Sequence, residues 1–484
     1  MDRLKSLGDL LFGGDEPGGS PALHAGGLDL TLEQVRVRAT DIACALADVG
    51  IGAGAPVGVM LPNAEVVAAL FGVWRAEGAY VPLNPRLGAG DLAHVLDAVA
   101  PAAIVTTGEH ADRFGERSIV VLDGHAGLRP GATGDCRLDA DVALVQFTSG
   151  TTGPPKPVPL RHSTVLGLLQ NVLTSLRGGA SDSGRPPMPN LVPVSLSLWA
   201  GIYQVLFARL VGAPLVVMDA FEPLEFASLV ERFGIRSTVL PPAAMAMLSD
   251  DERVTTLEPL RYVRSITAPL SPLQARRFRD RFGVAVLNGY GQTEIGGEII
   301  GWTAADSRAH GDDKLGAAGR PHPGVHVRVD DATGELQVRT PAMADGGADL
   351  TDRLTADGWF RTGDVGRVDA EGFVWIDGRL GDMINRGGLK VFPAEVEEVL
   401  RLSPAVADVA VVGVADERLG EVPWAFVVAV GDDVQPAELD ALCRAHLAPY
   451  KVPARFEAIE ALPRNEIGKV LGRELVALTI EEGR

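Results

Sequence analysis

The segment "FTSGTTGPPK" at 147–156 combines hydroxyl side chains with glycines and ends on a lysine. Glycines let a backbone turn closely around a ligand, and hydroxyl and amide donors suit phosphate oxygens. The spacing differs from GxxxxGK[ST], so this is not the P-loop of the common nucleotide hydrolases. Taken alone, the segment fits a phosphate-binding loop and also an ordinary mobile surface loop. The candidate phosphate-binding residues are Thr148, Ser149, Gly150, Thr151, Thr152, Gly153 and Lys156.

A second polar segment, "NGYGQTE" at 288–294, follows the apolar run "VAVL". The run predicts a buried parallel strand, and open α/β sheets bind ligands at the carboxyl ends of such strands. A tyrosine ring there can stack on a purine, a threonine hydroxyl can reach a phosphate, and a glutamate can hold Mg²⁺. We expect these roles for Tyr290, Thr293 and Glu294, although the first also fits core packing and the last a solvated charge.

Three charged residues lie further along the chain. Asp364 in "WFRTGD" stands at a Gly-Asp turn, where a carboxylate can accept hydrogen bonds from both hydroxyls of a ribose. Arg379 in "DGRLGD" and Lys469 in "PRNEIGK" are candidates for contacts with anionic groups. Considered separately, Asp364 also fits a plain turn, and an arginine or lysine such as Arg379 or Lys469 is more often a surface charge than a site residue.

The elements that must position these residues belong to a large protein. A chain of 484 residues exceeds one ordinary domain, and its net charge of −19 argues against a general surface for nucleic acids or anionic membranes. Three scattered cysteines suggest neither a disulfide framework nor a zinc site. No apolar run is long enough for a membrane span or a signal peptide, so we expect a cytoplasmic protein.

Helices and apolar strands alternate along the chain from Thr31 to Leu87, with strands expected at 56–61 and 80–83. This alternation predicts parallel sheets covered by helices. A GxGxG segment at 50–54 lies between a helix and a strand, which is the wrong order for a dinucleotide fingerprint. Short alternating strands at 316–376 predict a small antiparallel unit, and the last hundred residues a compact α+β unit. We therefore expect two domains, 1–380 and 381–484.

The strings "FTSGTTGPPK", "GYGQTE", "WFRTGD", "DGRLGDMINRGGLKVFPAEVE" and "PRNEIGK", in this order, closely resemble the adenylate-forming (AMP-binding) enzyme superfamily, of the acyl-CoA synthetase and aryl-CoA ligase type. The resemblance implies an α/β fold with a large N-terminal domain of two parallel-rich sheet subdomains plus a small β-barrel. A small, mobile α+β C-terminal domain would follow. It also implies that a carboxylic acid and ATP form an acyl-adenylate and pyrophosphate, and that the thiol of CoA then displaces AMP.

The resemblance also implies roles for individual residues. The loop from Thr148 to Lys156 would hold the β- and γ-phosphates, Thr293 the α-phosphate and Glu294 the Mg²⁺ ion. Tyr290 would flank the adenine, Asp364 and Arg379 would grip the ribose, and Lys469 would bridge the carboxylate and the nucleotide. Further implied nucleotide contacts are Asn288, Gly289 and Gly291; the implied CoA tunnel is Gly387, Gly388 and Lys390, and the implied hinge is Gly381.

The acyl pocket is expected around "PVSLSLWAGIYQ" at 193–204, which contains no acidic residue to bind an α-amino group. An amino-acid substrate is therefore not expected. The mostly apolar candidate walls favour a fatty or aromatic acid, although each also fits ordinary core. These walls are Leu196, Trp199, Gly201, Tyr203, Pro241, Ala243, Met245 and Gly297.

CoA is the expected acceptor, with a separate acyl carrier protein as the alternative. A luciferase-like oxidation and a catalytically silent nucleotide-binding relative also remain open. The sequence departs from the superfamily's usual motifs at several positions: Pro157 replaces a glycine, Leu196 a histidine, Ile266 a glycine, and Gly381 a hinge aspartate or lysine. The segment "NEIGK" also replaces the commoner "TxSGK" but keeps the Gly-Lys pair. Pro157 stiffens the end of the phosphate loop, whereas a glycine at 381 still permits rotation.

Overall fold

The computed structural model describes residues 4–122, 126–129, 131, 134, 136–148, 156–177, 187–266, 268–295, 297–340, 343, 351–431, 434–464 and 470–481. Two compact units can be distinguished. The first comprises residues 1–326 and 339–352, and the second comprises residues 327–338 and 353–484.

The first unit contains a seven-stranded sheet whose central strands are buried and mostly apolar. Such strands form where helices cover both faces of a parallel sheet. The order is β7-β6-β5-β3-β4-β8-β9, parallel in the middle and antiparallel at both edges. Its strands are β3 (Pro56–Met60), β4 (Ala79–Pro82), β5 (Ala103–Thr106), β6 (Ile119–Leu122), β7 (Ala126–Arg129), β8 (Val142–Thr148) and β9 (Lys156–Arg161).

Two further sheets of the first unit combine parallel and antiparallel pairs. One has the order β10-β11-β1-β2 and the other β12-β13-β14-β15-β16. The strands of the former are β1 (Pro21–Ala25), β2 (Leu28–Thr31), β10 (Asn190–Val192) and β11 (Leu215–Val217). Those of the latter are β12 (Ser237–Val239), β13 (Tyr262–Ser265), β14 (Ala285–Gln292), β15 (Gly297–Gly301) and β16 (Arg320–Pro321). The prediction of parallel-rich α/β sheets is confirmed.

The helices of this unit pack their apolar faces on the sheets. Thr31 and Gln34 form a capping box at the start of α2, and α3 is buried over most of its length. The helices are α1 (Asp9–Phe12), α2 (Leu32–Asp48), α3 (Asn63–Arg75), α4 (Ala89–Val99), α5 (His162–Arg177), α6 (Trp199–Val211), α7 (Pro223–Phe233), α8 (Pro242–Asp250), α9 (Pro272–Phe282) and α10 (Ala304–His310).

A hydrogen bond attaches the N-terminal segment to the start of α5. The amide of Leu7 donates to Nδ1 of His162 at 3.1 Å. Burial lowers the pKa of His162, and the nearby carboxylates of Asp141 and Asp9 only partly oppose this effect. The fold therefore favours the neutral imidazole, which can accept this bond.

The second unit begins with a four-stranded sheet where the small β-barrel is expected. Its order is β17-β18-β19-β20, and its strands are β17 (His326–Val329), β18 (Glu335–Arg339), β19 (Phe360–Val368) and β20 (Val374–Arg379). The α+β prediction for the remainder is confirmed. That part contains β21 (Ile384–Arg386), β22 (Leu389–Val391), α11 (Pro393–Leu400), β23 (Val406–Asp416), β24 (Gly420–Ala429), α12 (Pro436–His446), β25 (Arg455–Ala458) and α13 (Gly472–Glu481).

The boundary expected at residue 380 falls within the second compact unit, in a 3-10 turn at Leu380–Asp382. As a boundary of domain motion it stays a prediction. No helix in the described part of the chain is long and apolar enough to cross a membrane.

Candidate active site

The two ends of the predicted phosphate loop lie on paired strands. Strands β8 and β9 pair antiparallel, and their register places Thr148 opposite Lys156. Lys156 is exposed at this end of the sheet. The strands therefore hold the two ends of the loop together, while Ser149, Gly150, Thr151, Thr152 and Gly153 lie outside the described residues.

The second predicted segment lies where the pairing of β14 changes. Up to Asn288 the strand pairs parallel with β13, and from Gly289 onwards it pairs antiparallel with β15. Tyr290 therefore lies inside a continuing hairpin rather than in a loop after the strand. A Cβ atom at Gly291 would lie 1.8 Å from the carbonyl oxygen of Gly297, so the two strands approach too closely for any side chain there.

A 3-10 turn, Thr293–Ile295, follows directly and is anchored by the buried Ile295. Thr293 and Glu294 are half-buried on this turn. Nε2 of the Gln292 side chain donates to the hydroxyl of Tyr290 at 3.1 Å, which orients the ring. The hairpin and the turn thus bring a tyrosine, a threonine and a glutamate into one short segment.

Glu294 could contribute to a magnesium site that is completed by substrate phosphates and water. Among the described residues, no group of three His, Cys, Asp or Glu side chains could hold a metal ion. Mg²⁺ usually binds through one or two carboxylates together with substrate phosphates and water. A single carboxylate beside a candidate phosphate site fits that pattern.

The two candidate ribose ligands form a cross-strand pair in the second unit. Asp364 on β19 lies opposite Arg379 on β20, and Nε of the arginine lies 3.1 Å from Oδ1 of the aspartate. The carboxylate is 5% exposed, whereas the guanidinium side chain is 47% exposed. A buried carboxylate paired with an arginine is preorganised to accept hydrogen bonds from hydroxyl groups.

Neighbouring residues that the sequence did not identify fix this aspartate. The hydroxyl of Thr362 accepts from the amide of Asp364 at 3.1 Å and donates to the carbonyl of Leu336 at 2.6 Å. Gly363 adopts a φ of +74°, and its amide donates to the buried carboxylate of Glu335 at 2.8 Å. Only a glycine accommodates that backbone easily, which explains the Gly-Asp order.

The candidate CoA segment is a tight hairpin turn. Gly387 and Gly388, with φ of +60° and +89°, connect β21 to β22. Two successive residues of positive φ are typical of a type I′ turn. The side chain of Lys390 leaves the following strand and donates to the carbonyl of Thr333 at 3.2 Å.

Gly381, the candidate hinge, is exposed, and a Cβ atom there would contact nothing within 4 Å. The turn therefore does not require glycine for steric reasons. Lys469 lies outside the described residues, but the chain on both sides of it is paired. Arg464 and Val470 form an antiparallel bridge.

The candidate acyl walls differ in their burial and in their neighbours. Leu196 and Met245 are fully buried in two different hydrophobic cores. Three other walls lie in contact with one another. The ring centroids of Trp199 and Tyr203 are 5.7 Å apart, and a Cβ at Gly297 would come within 3.0 Å of the indole nitrogen of Trp199. The remaining walls are the buried Gly201, the half-buried Pro241 and the exposed Ala243.

Two family models match the sequence. The model described as AMP-binding enzyme matches residues 14–346, and the model described as AMP-binding enzyme C-terminal domain matches residues 395–469. The chain belongs to the AMP-binding enzyme family. The predicted membership of the adenylate-forming superfamily is thereby confirmed.

Relatives of this AMP-binding enzyme match over nearly their whole length. A feruloyl-CoA synthase of an Amycolatopsis species is 32% identical, with 94% of this chain and 95% of the relative covered. A fatty acid–[acyl-carrier-protein] ligase of Streptomyces coeruleorubidus is also 32% identical, with 94% and 93% covered. The structure of o-succinylbenzoate-CoA synthetase from Bacillus subtilis with its acyl-adenylate has a TM-score of 0.84 at 24% identity, with 96% and 97% covered, and shows the fold.

One charged cluster of this AMP-binding enzyme has no counterpart in the sequence predictions. Arg264 pairs with Oε1 of Glu298, and Nε2 of His322 lies 3.0 Å from the same oxygen. The three residues lie on or directly after strands of the same sheet, β13, β15 and β16, but far apart in sequence. Glu298 directly follows Gly297, one of the candidate acyl walls.

Proposed function

We propose that this chain is an ATP-dependent carboxylic acid:CoA ligase, with a fatty or aromatic acid as substrate. It would form an acyl-adenylate, release pyrophosphate, and then transfer the acyl group to CoA. The near-complete match to acid:CoA ligases, including the feruloyl-CoA synthase at 94% and 95% coverage, carries this proposal. A long-chain fatty acid:CoA ligase of Mycobacterium tuberculosis, 30% identical, supports the same reaction class.

The residues of each unit support the assigned roles. In the first unit, Tyr290 would flank the adenine, Thr293 would contact the α-phosphate, and Glu294 would hold Mg²⁺, which offsets the repulsion between two anions. In the second unit, Asp364 would accept from the ribose hydroxyls while Arg379 stabilises its negative charge.

The remaining candidate residues complete the proposal. Lys156 and the loop before it would hold the β- and γ-phosphates, with Asn288, Gly289 and Gly291 beside the nucleotide. Lys469 would bridge the carboxylate and the nucleotide as a compact positive charge. The turn at Gly387 and Gly388, with Lys390, would face the pantetheine arm during the second step.

An acyl carrier protein is the second candidate acceptor. The Streptomyces coeruleorubidus relative, a fatty acid–[acyl-carrier-protein] ligase, is as similar to this chain as the feruloyl-CoA synthase, since both are 32% identical. The acceptor therefore requires a direct measurement.

Pyrophosphate release from ATP with a panel of fatty and aromatic acids, with and without CoA, tests the proposal. We expect release with at least one acid and a CoA thioester when CoA is present. Release without a thioester would favour the carrier-protein acceptor. ATP binding without release for any acid would instead identify a catalytically silent relative.

A further inference from the structure

The charged cluster of Arg264, Glu298 and His322 lies beside the aromatic part of the candidate acyl pocket. Gly297, whose φ is +116°, turns the chain against the indole of Trp199. The next residue along β15 is Glu298. The pocket wall and the carboxylate are thus consecutive in one strand.

The structure makes room for this carboxylate with a pair of glycines. Gly289 and Gly301 lie opposite each other in the β14–β15 ladder. A Cβ at Gly289 would lie 2.8 Å from Cδ of Glu298, and a Cβ at Gly301 would lie 2.3 Å from its Oε1. The side chain therefore lies over two backbone segments that carry no Cβ atom, and it would have to shift if either glycine were replaced.

The two oxygens of Glu298 are used differently. Oε1 accepts from Arg264 and lies 3.0 Å from His322 Nε2, and the arginine also donates to the carbonyl of Trp302 at 3.1 Å. Oε2 makes no hydrogen bond with any residue that the structure describes. The side chain is 19% exposed, so the carboxylate is fixed on one side and retains an open acceptor on the other.

The carboxylate also lies within electrostatic range of the acyl pocket. Burial, followed by the negative charge of Glu298, raises the pKa of the Tyr203 phenol, and Arg264 opposes this effect. Within the described part of the chain, the Tyr203 hydroxyl has no hydrogen-bond partner either. An aromatic pocket wall therefore lies near a fixed, partly desolvated acceptor.

We propose that Glu298 is a specificity-determining residue that selects carboxylic acids whose acyl part carries a hydroxyl group. Arg264 and His322 act as positioning residues for it. The free oxygen would accept a hydrogen bond from the hydroxyl, and its negative charge would disfavour acids that carry a second carboxylate. This inference rests on the proposed function, because it names the substrate class of the same pocket.

Four acids with one skeleton test it: cinnamic acid and its 4-hydroxy, 4-methoxy and 4-carboxy derivatives, each assayed by pyrophosphate release. We expect kcat/KM to be about tenfold or more higher for the hydroxy acid than for the unsubstituted and methoxy acids, as for a hydrogen bond to a charged group. The carboxy acid should be the poorest of the four. If no cinnamic acid is adenylated, octanoic, 8-hydroxyoctanoic and octanedioic acids give the same comparison.

Glu298→Gln keeps the shape of the side chain and removes its charge. It should lower kcat/KM for the hydroxy acid about tenfold and raise it for the dicarboxylic acid, because the repulsion is gone. Damage to the fold would lower both. Glu65→Gln is the matched control, since Glu65 pairs with Arg38 at 3.3 Å on helices remote in sequence from the cluster and should leave every ratio unchanged.

Equal rates for the hydroxy and unsubstituted acids in the unmodified enzyme would overturn the inference and leave the proposed function intact. The inference would also be overturned if Glu298→Gln changed kcat/KM for all acids in the same direction while unfolding at the same temperature as the unmodified enzyme. If that variant does not fold, the ratio of kcat/KM between the hydroxy and unsubstituted acids can still be measured in the unmodified enzyme and in Tyr203→Phe. Absence of pyrophosphate release with every acid would overturn the proposed function itself, and this inference with it.

Discussion

Replacing Asp364 with asparagine tests the assignment of the ribose site. Asparagine keeps the volume of the side chain and one acceptor oxygen but loses the negative charge and the second acceptor. The aspartate side chain is 5% exposed, so solvent screens its interactions little. A hydrogen bond to a charged group contributes about 1.5–3 kcal/mol, which corresponds to about 10- to 150-fold in affinity.

Under the proposed assignment, Asp364 would hold the ribose equally before and during the chemical step, so the loss should appear in KM for ATP rather than in kcat. ATP–pyrophosphate exchange at saturating acid measures both constants. We expect KM for ATP to rise by about 10- to 150-fold, with kcat changed by less than about threefold.

The same two strands provide a matched control. Arg367 on β19 and Asp377 on β20 form another ion pair at 2.5 Å, but their side chains are 57% and 37% exposed. An exposed pair contributes only about 0–1 kcal/mol, so Asp377→Asn should leave KM for ATP within about twofold. An unchanged KM in Asp364→Asn, or an equal rise in both variants, would refute the ribose assignment.

Three further predictions concern other parts of the chain. Lys469→Ala should slow pyrophosphate release about 100-fold or more and spare thioester formation from a preformed acyl-adenylate, as single-turnover assays of the two steps would show; equal slowing of both steps would contradict its role. Gly291→Ala should abolish most adenylation because its Cβ would lie 1.8 Å from a carbonyl oxygen of the paired strand. Gly167→Ala on α5 is the control, because a Cβ there would have no atom within 4 Å. It should keep full activity and raise the free energy of unfolding by up to about 1 kcal/mol. Because burial lowers the pKa of His162, the attachment of the N-terminal segment is stable above the ordinary histidine pKa of about 6.5 and weakens as the pH falls below it. Hydrogen exchange of residues 5–12, corrected for the intrinsic rate, should show this pH dependence and should lose it in His162→Phe.

The central strands of the large sheet could be predicted closely from the sequence. Strands expected at 56–61 and 80–83 are observed as Pro56–Met60 and Ala79–Pro82. Uninterrupted apolar runs between glycines and prolines indicate a strand buried on both faces, and no competing pattern exists there. The order of the motifs likewise predicts the superfamily from the sequence alone.

The pairing of β14 could not be predicted in the same way. The sequence indicates a strand before residue 288, but nothing in "NGYGQTE" shows that the chain continues into an antiparallel hairpin. That change depends on Gly291 meeting Gly297, a contact between backbones that leaves no side-chain pattern.

The charged cluster was missed for a related physical reason. Arg264 and Glu298 are 34 residues apart, and Glu298 and His322 are 24 apart, so no local spacing connects them. Charged residues in a sequence usually indicate solvent-exposed faces. The sequence also does not show that Gly289 and Gly301 make room for the carboxylate of Glu298, because this depends on the strand register that places the two glycines opposite each other.

The prolines of β9 have a consequence for association between molecules. β9 forms one edge of the seven-stranded sheet, and Pro157 and Pro159 stand two residues apart in it, opposite Phe147 and Val145. Proline has no amide hydrogen and is accepted in a paired strand where that position faces away from its neighbour. The outer side of β9 therefore lacks two donors that an added strand would need. The residue that departs from the superfamily's usual glycine thus helps to keep this edge, next to the phosphate loop, from recruiting the strand of another molecule.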